Sequence, residues 1–99
     1  MTELSEATRE KVRQLFPAEQ RDDVVRILEE ECGESLPLMQ GPEKLDLMER
    51  VRFAALKESG GKVNLLREAV HLAQIDWRDL LINAGFADSV DAHRHWTID

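Results

Sequence analysis

The sequence has no tyrosine, one cysteine, three prolines and five glycines in 99 residues, and its aromatic content is limited to three Phe and two Trp. Each scarcity excludes something. A lone thiol, Cys32, cannot form an internal disulfide, so this is not a disulfide-stapled small domain and it fits a reducing compartment. No apolar run approaches the roughly 18 residues that a membrane helix needs. β-Branched residues never alternate with polar ones over a useful length, so strand signals are nearly absent. Cations are short as well: 13 Lys and Arg stand against 20 Asp and Glu, a net charge of −7. Phosphate binding draws on clustered Lys and Arg, so the balance argues against nucleic acid as a partner. It argues equally against an anionic membrane surface. The opening Met1-Thr2-Glu3-Leu4-Ser5-Glu6 has neither the basic start nor the apolar run of a signal peptide, and the expected location is cytoplasmic.

What is present is helical periodicity. Hydrophobic residues make up 42% and charged residues 33%, a soluble globular balance. Ser5 to Phe16 reads as a first helix, capped by Ser5, with Val12, Leu15 and Phe16 as a narrow apolar stripe. Residues 1–16 are a candidate peripheral N-terminal helix. Pro17 stops that helix and opens a second over 18–32, at its first position, where a missing N–H costs nothing. Val24, Ile27, Leu28 and Cys32 share one face there. Glu29, Glu30 and Glu31 sit at the unfavourable end of the helix dipole and call for cationic partners elsewhere. Gly33 is placed to follow the C-cap. Residues 34–41 read as a loop that displays Leu38 and Met39.

Pro42 then opens a third helix to Ser59. Leu47, Met48, Val51, Ala54 and Ala55 form one stripe, and Leu45, Phe53 and Leu56 a second, so this is the expected central helix, contacted on two sides. Gly60-Gly61 ends it. A fourth helix covers 62–73, with Val63, Leu66, Ala69, Val70 and Ala73 inward. Gln74-Ile75 form a turn, and Asp76 caps a fifth helix carrying Trp77, Leu80, Leu81 and Ala84 on one face, ended by Gly85. Asp88 or Ser89 caps a last short helix through about Trp96. The expected fold is an all-α, compact bundle of five or six short helices, one domain spanning 1–99.

Both tryptophans and all three histidines lie from His71 onward. Trp77 is read first as a core anchor and second as a binding hot spot, with Arg78 and Asp79 on its polar side. Trp96 must bury its ring in its own domain or in a partner, and His93 is placed to lie against the core and hydrogen-bond a carbonyl. Phe86 completes the set of candidate anchors. No metal site is expected, since His93 and His95 diverge by about 200° on a helix and no Cys-x-x-Cys or His-Glu-x-x-His spacing is present. Cys32, on an apolar stripe at an acidic helix end, has the surroundings of an inert thiol. No nucleophile elbow and no phosphate-binding glycine loop occurs, so neither an enzyme nor a cofactor is expected. Residues 62–84 can be read as helix-turn-helix, but the second helix would present Asp76, Trp77, Arg78 and Asp79 to DNA, a poor reading surface.

The run Glu49-Arg50-Val51-Arg52-Phe53-Ala54-Ala55-Leu56-Lys57, then Gly60-Gly61, Leu65-Leu66-Arg67-Glu68-Ala69-Val70, Asp76-Trp77-Arg78-Asp79-Leu80-Leu81, Ala84-Gly85-Phe86, and finally Ala92-His93 with Trp96, resembles a group of small uncharacterised bacterial all-helical proteins. The resemblance covers roughly residues 45–96. It implies an all-helical cytoplasmic bacterial protein and carries over no functional residue. The expected function is a small non-catalytic protein-interaction module, an adaptor or a homodimer, whose partner is another protein or itself. The alternative is a nucleic-acid-associated regulator using 62–84. The candidate anchors are Trp77, Arg78, Asp79, Phe86, His93 and Trp96.

Overall fold

The computed structural model describes residues 3–33, 36, 44–89 and 91–98. Four α-helices run in the order α1 (Glu6–Leu15), α2 (Ala18–Glu31), α3 (Lys44–Ser59) and α4 (Val63–Ala84), followed by a 3₁₀ turn at Ala92–His95. The all-α expectation holds, but among the described residues the α-helices number four rather than five or six. The expected loop at 34–41 and the start at Pro42 lie outside the described residues, apart from Leu36, which is buried.

The local signals act as their chemistry demands. Ser5 caps α1, its Oγ accepting from Thr8 N–H at 3.2 Å. Pro17 stands one residue before the first helical position of α2, with extended backbone, instead of inside it. Gly85 ends α4 in the left-handed conformation at φ 80°, its N–H turned to the Ile82 and Leu81 carbonyls. Gly33 has no positive φ. What fixes it as glycine is space, because a Cβ there would lie 2.8 Å from Arg52 Nη2 and 2.9 Å from the Glu29 carbonyl oxygen.

The two helices expected at 62–73 and from Asp76 are one helical segment broken at a single residue. Asp76 alone leaves helical geometry, at φ −155° and ψ 90°. Its carboxylate accepts from Arg78 N–H at 3.1 Å, so it does cap the second half. With no spacer between the halves, the expected Gln74-Ile75 turn does not form. The junction lacks the three- to four-residue turn of a helix-turn-helix. The bend is sharp nonetheless. A straight helix of 22 residues would hold its ends about 33 Å apart. Instead Lys57, shortly before Val63 in the chain, donates from Nζ to the Ala84 carbonyl at 2.7 Å. The second half therefore doubles back along α3.

α3 is the centre of the fold. Every residue from Val51 to Leu56 is buried, including the charged Arg52, as a helix contacted on both sides requires. α4 is its main neighbour, and α1 and the 3₁₀ turn also pack on it. Leu4, Val12 and Phe16 from the N-terminal region, Val24, Ile27, Leu28 and Cys32 from α2, and Leu66, Val70, Ala73, Leu80 and Leu81 from α4 complete one hydrophobic core. Leu45, expected inward, is 63% exposed in the first turn of α3. Among the described residues no helix is long and apolar enough to cross a membrane.

The α3–α4 turn tucks beneath the end of α1. Gly60 has φ 57° with open space around it, whereas Gly61 has φ 86° and a Cβ there would lie 2.7 Å from the Leu15 carbonyl oxygen. Gly60→Ala should therefore cost only the left-handed penalty, about 1–2 kcal/mol. Gly61→Ala adds a clash with backbone and should cost at least about 3 kcal/mol. Thermal midpoints of the two variants would show the order.

Candidate functional site

The acidic chain places several of its scarce cations on backbone carbonyls. Helix C-termini leave carbonyls without intrahelical partners and carry partial negative charge, so a cation arriving from a neighbouring element satisfies both. Arg21 closes α1, donating to the Phe16 carbonyl at 2.9 Å and the Arg13 carbonyl at 3.0 Å. Arg52 closes α2 with Nε on the Cys32 carbonyl at 2.8 Å, and its Nη1 reaches the Glu3 carbonyl at 3.4 Å. Gln74 adds a donor to the Glu31 carbonyl at 2.8 Å. Lys57 closes α4, and Arg50 donates from both Nε and Nη2 to the Phe86 carbonyl just beyond it. Of the misplaced acids of α2, Glu29 finds Arg9 at 3.6 Å on α1. Arg50 and Lys57 lie about two turns apart on α3, so they share one side of it.

This scaffold gathers three of the sequence-derived anchors. Phe86, His93 and Trp96 meet around Phe53 of α3. The Phe53 ring meets His93 edge-on at 5.0 Å and Trp96 at 6.1 Å, and Phe86 lies 6.4 Å from His93 and 6.1 Å from Trp96. Lys57 Nζ stands 4.9 Å over the Phe86 ring, and Lys11 Nζ 5.0 Å over the Trp96 ring while donating to the Trp96 carbonyl at 2.7 Å. His93 is buried, as expected, but the expected carbonyl bond is not made. Neither ring nitrogen has a hydrogen-bond partner. The nearest carboxylate, Glu49 Oε1, is 4.0 Å from Nε2. Burial, aided by Arg94 and Arg50, holds the imidazole below its ordinary pKa, against the opposing pull of Asp91 and Asp46.

Trp77, Arg78 and Asp79 form a second group, at the start of the returning half of α4. Trp77 is half-buried against the core, with the Arg78 guanidinium 5.2 Å over its ring. Arg78 and Asp79 are exposed. Cys32 is buried beside Arg52, and loss of hydration pushes its thiol up to about 12, with Arg52 opposing. Such a thiol is neither nucleophile nor ready ligand. His71 and His95 are exposed, and His95 faces Asp91 at 3.8 Å. Among the described residues no three His, Cys, Asp or Glu side chains converge as a metal ion requires.

Sequence reasoning missed Phe53 as the hub of the aromatic cluster and Arg52 as the clasp on α2. The signal for Arg52 was present, since a charge inside the run Val51-Arg52-Phe53-Ala54-Ala55-Leu56 must be buried with its helix. No family model matches the chain, and neither a curated protein nor a solved structure matches it.

Proposed function

We propose that the chain is a small non-catalytic interaction module whose contact surface lies around the bend of α4. One observation carries this reading. Among the described residues the large apolar side chains left open are Leu45, Ile75 and Ile82, at 63%, 68% and 62% exposure. Helix lengths put two of them, Leu45 and Ile75, with Trp77 toward one end of the α3–α4 pair. α3 and the first half of α4 run antiparallel from the Gly60-Gly61 turn, and at 1.5 Å per residue Leu45 and Ile75 come roughly level with each other. Trp77 follows immediately, half-exposed beneath Arg78. Trp and Arg on an apolar ground are the residue types that dominate association energies. Cys32 and His93 are meanwhile buried out of reach.

The partner is another protein or a second copy of the chain. The test compares the natural chain with a Leu45→Ser/Ile75→Ser variant and with Trp77→Ala, by sedimentation for self-association and by affinity capture from a source lysate. The expected result is a dimer or a captured protein that disappears in a variant whose helicity is retained. A natural chain that is monomeric at tens of micromolar, roughly the range of weak specific contacts, and captures nothing would overturn the reading. Retention on DNA at low salt, lost steeply as salt rises, would instead favour the nucleic-acid reading.

A further inference from the structure

The least comfortable group in the protein is His93. Its side chain is about 1% exposed and leaves two ring nitrogens without a partner. A buried unsatisfied polar group costs free energy that an apolar residue of the same shape would not. The ring is closed in by Phe53 from α3 and Phe86 from the segment after α4. The charged groups around it are Asp46, Glu49 and Arg50 on α3 and Asp91 and Arg94 on its own segment, with Lys57 and Lys11 standing over the neighbouring Phe86 and Trp96 rings.

The segment that carries His93 is lightly held. Of residues 91–98, Asp91, Arg94, His95 and Thr97 are exposed, and the turn has only four residues. His93 and Trp96 are the aromatic side chains that fasten it to the Phe53 face, Ala92 packs beside them on the core, and the Lys11 bond to the Trp96 carbonyl and the exposed Arg94–Asp46 pair at 3.9 Å are further ties. We propose that residues 91–98 form a strap over the Phe53–Phe86 face that lets go when the His93 ring takes up a proton.

The direction follows from where the proton is welcome. Docked, the ring sits between two phenyl rings, and Glu49 is too far to accept an N–H bond. Released, both nitrogens meet water and the ring regains its ordinary pKa of about 6.5. The released state therefore binds the proton at higher pH than the docked state does. Docking is complete above the ordinary histidine range and weakens as pH falls through it toward the lower docked value, below which nothing more is lost. The carboxylates of Asp46 and Asp91 narrow this window without reversing it, because burial outweighs them.

The test uses the full chain carrying Trp77→Phe, so that Trp96 is the sole indole. From about pH 8 to about pH 5, across the histidine range, Trp96 emission should shift to the red and its quenching by acrylamide should rise several-fold, while the far-ultraviolet helical signal persists. Adding His93→Leu should abolish that transition. If His93→Leu does not fold, the proton resonance of the His93 ring in the natural chain decides the matter, with an expected midpoint below the ordinary value. Three results would overturn the proposal. Trp96 could stay shielded throughout, the transition could survive His93→Leu, or His93 could titrate above its ordinary value. The last would mean that Glu49 moves in and locks the protonated ring.

Discussion

Replacing Arg52 by Ala should remove about 3 kcal/mol of stability, from the loss of charge-assisted bonds worth roughly 1.5–3 kcal/mol each. The guanidinium is 3% exposed and ties three pieces of chain together. It sits on α3, closes α2 through the Cys32 carbonyl, and holds the approach to α1 through the Glu3 carbonyl. Without it the end of α2, where Glu29, Glu30 and Glu31 already oppose the helix dipole, has lost its nearest buried cation. Arg52→Met keeps the apolar stem but supplies no donor, so it should recover packing and not the cap. Arg52→Lys restores one point charge and should fall between, because an ammonium cannot span two carbonyls as the planar fork does. A change at the exposed Arg67 to Ala should stay within about 0.5 kcal/mol. Urea midpoints at constant slope would rank the four variants.

The helices were legible in the sequence wherever the determinant was local. Ser5, Gly60-Gly61 and Gly85 mark helix ends because capping and left-handed turns are decided within a few residues. Asp76 was legible as a cap for the same reason. What the sequence did not disclose is that no residues separate the two halves of α4, since a cap signal says where a helix begins and not how the preceding one is joined. The wide apolar arc of α3 correctly marked it as central. It also drew Leu45 inward, because periodicity assigns a residue to a side of a helix and not to a height along it.

The site was less legible because its bonds are non-local. Arg52 reaches the Cys32 carbonyl across 20 positions, Lys57 the Ala84 carbonyl across 27, and Arg50 the Phe86 carbonyl across 36. Helical spacing can show that Arg50 and Lys57 share a face, but not that the end of α4 returns to meet them. His93 illustrates the same limit from the other side. Its place between Ala92 and Trp96 in the sequence allowed it to lie against the core. Its lack of a hydrogen-bond partner depends on where Phe53, Phe86 and Glu49 converge.

Phe53→Ala should be the most damaging single change in the aromatic cluster, at about 3–5 kcal/mol for truncating a buried phenyl ring. Phe53 is 2% exposed and is the ring on which both His93 and Trp96 rest. Its removal opens a cavity on α3 and takes away the surface that the C-terminal segment covers. Two readouts should therefore move together. The global unfolding midpoint should fall, and Trp96 should become accessible to quencher before the helices melt. Phe53→Leu separates the contributions, since it keeps most of the volume and should cost less than about 1.5 kcal/mol as a hydrophobic swap. What it also loses is the edge-on contact at 5.0 Å and 88° with the His93 ring. A double-mutant cycle with His93→Leu isolates that contact, and the expected coupling is about 0.5–1.5 kcal/mol at neutral pH. A coupling near zero would mean that His93 is held by confinement between the two phenyl rings and not by ring–ring attraction. In that case Phe86→Leu should loosen the C-terminal segment as much as Phe53→Leu does.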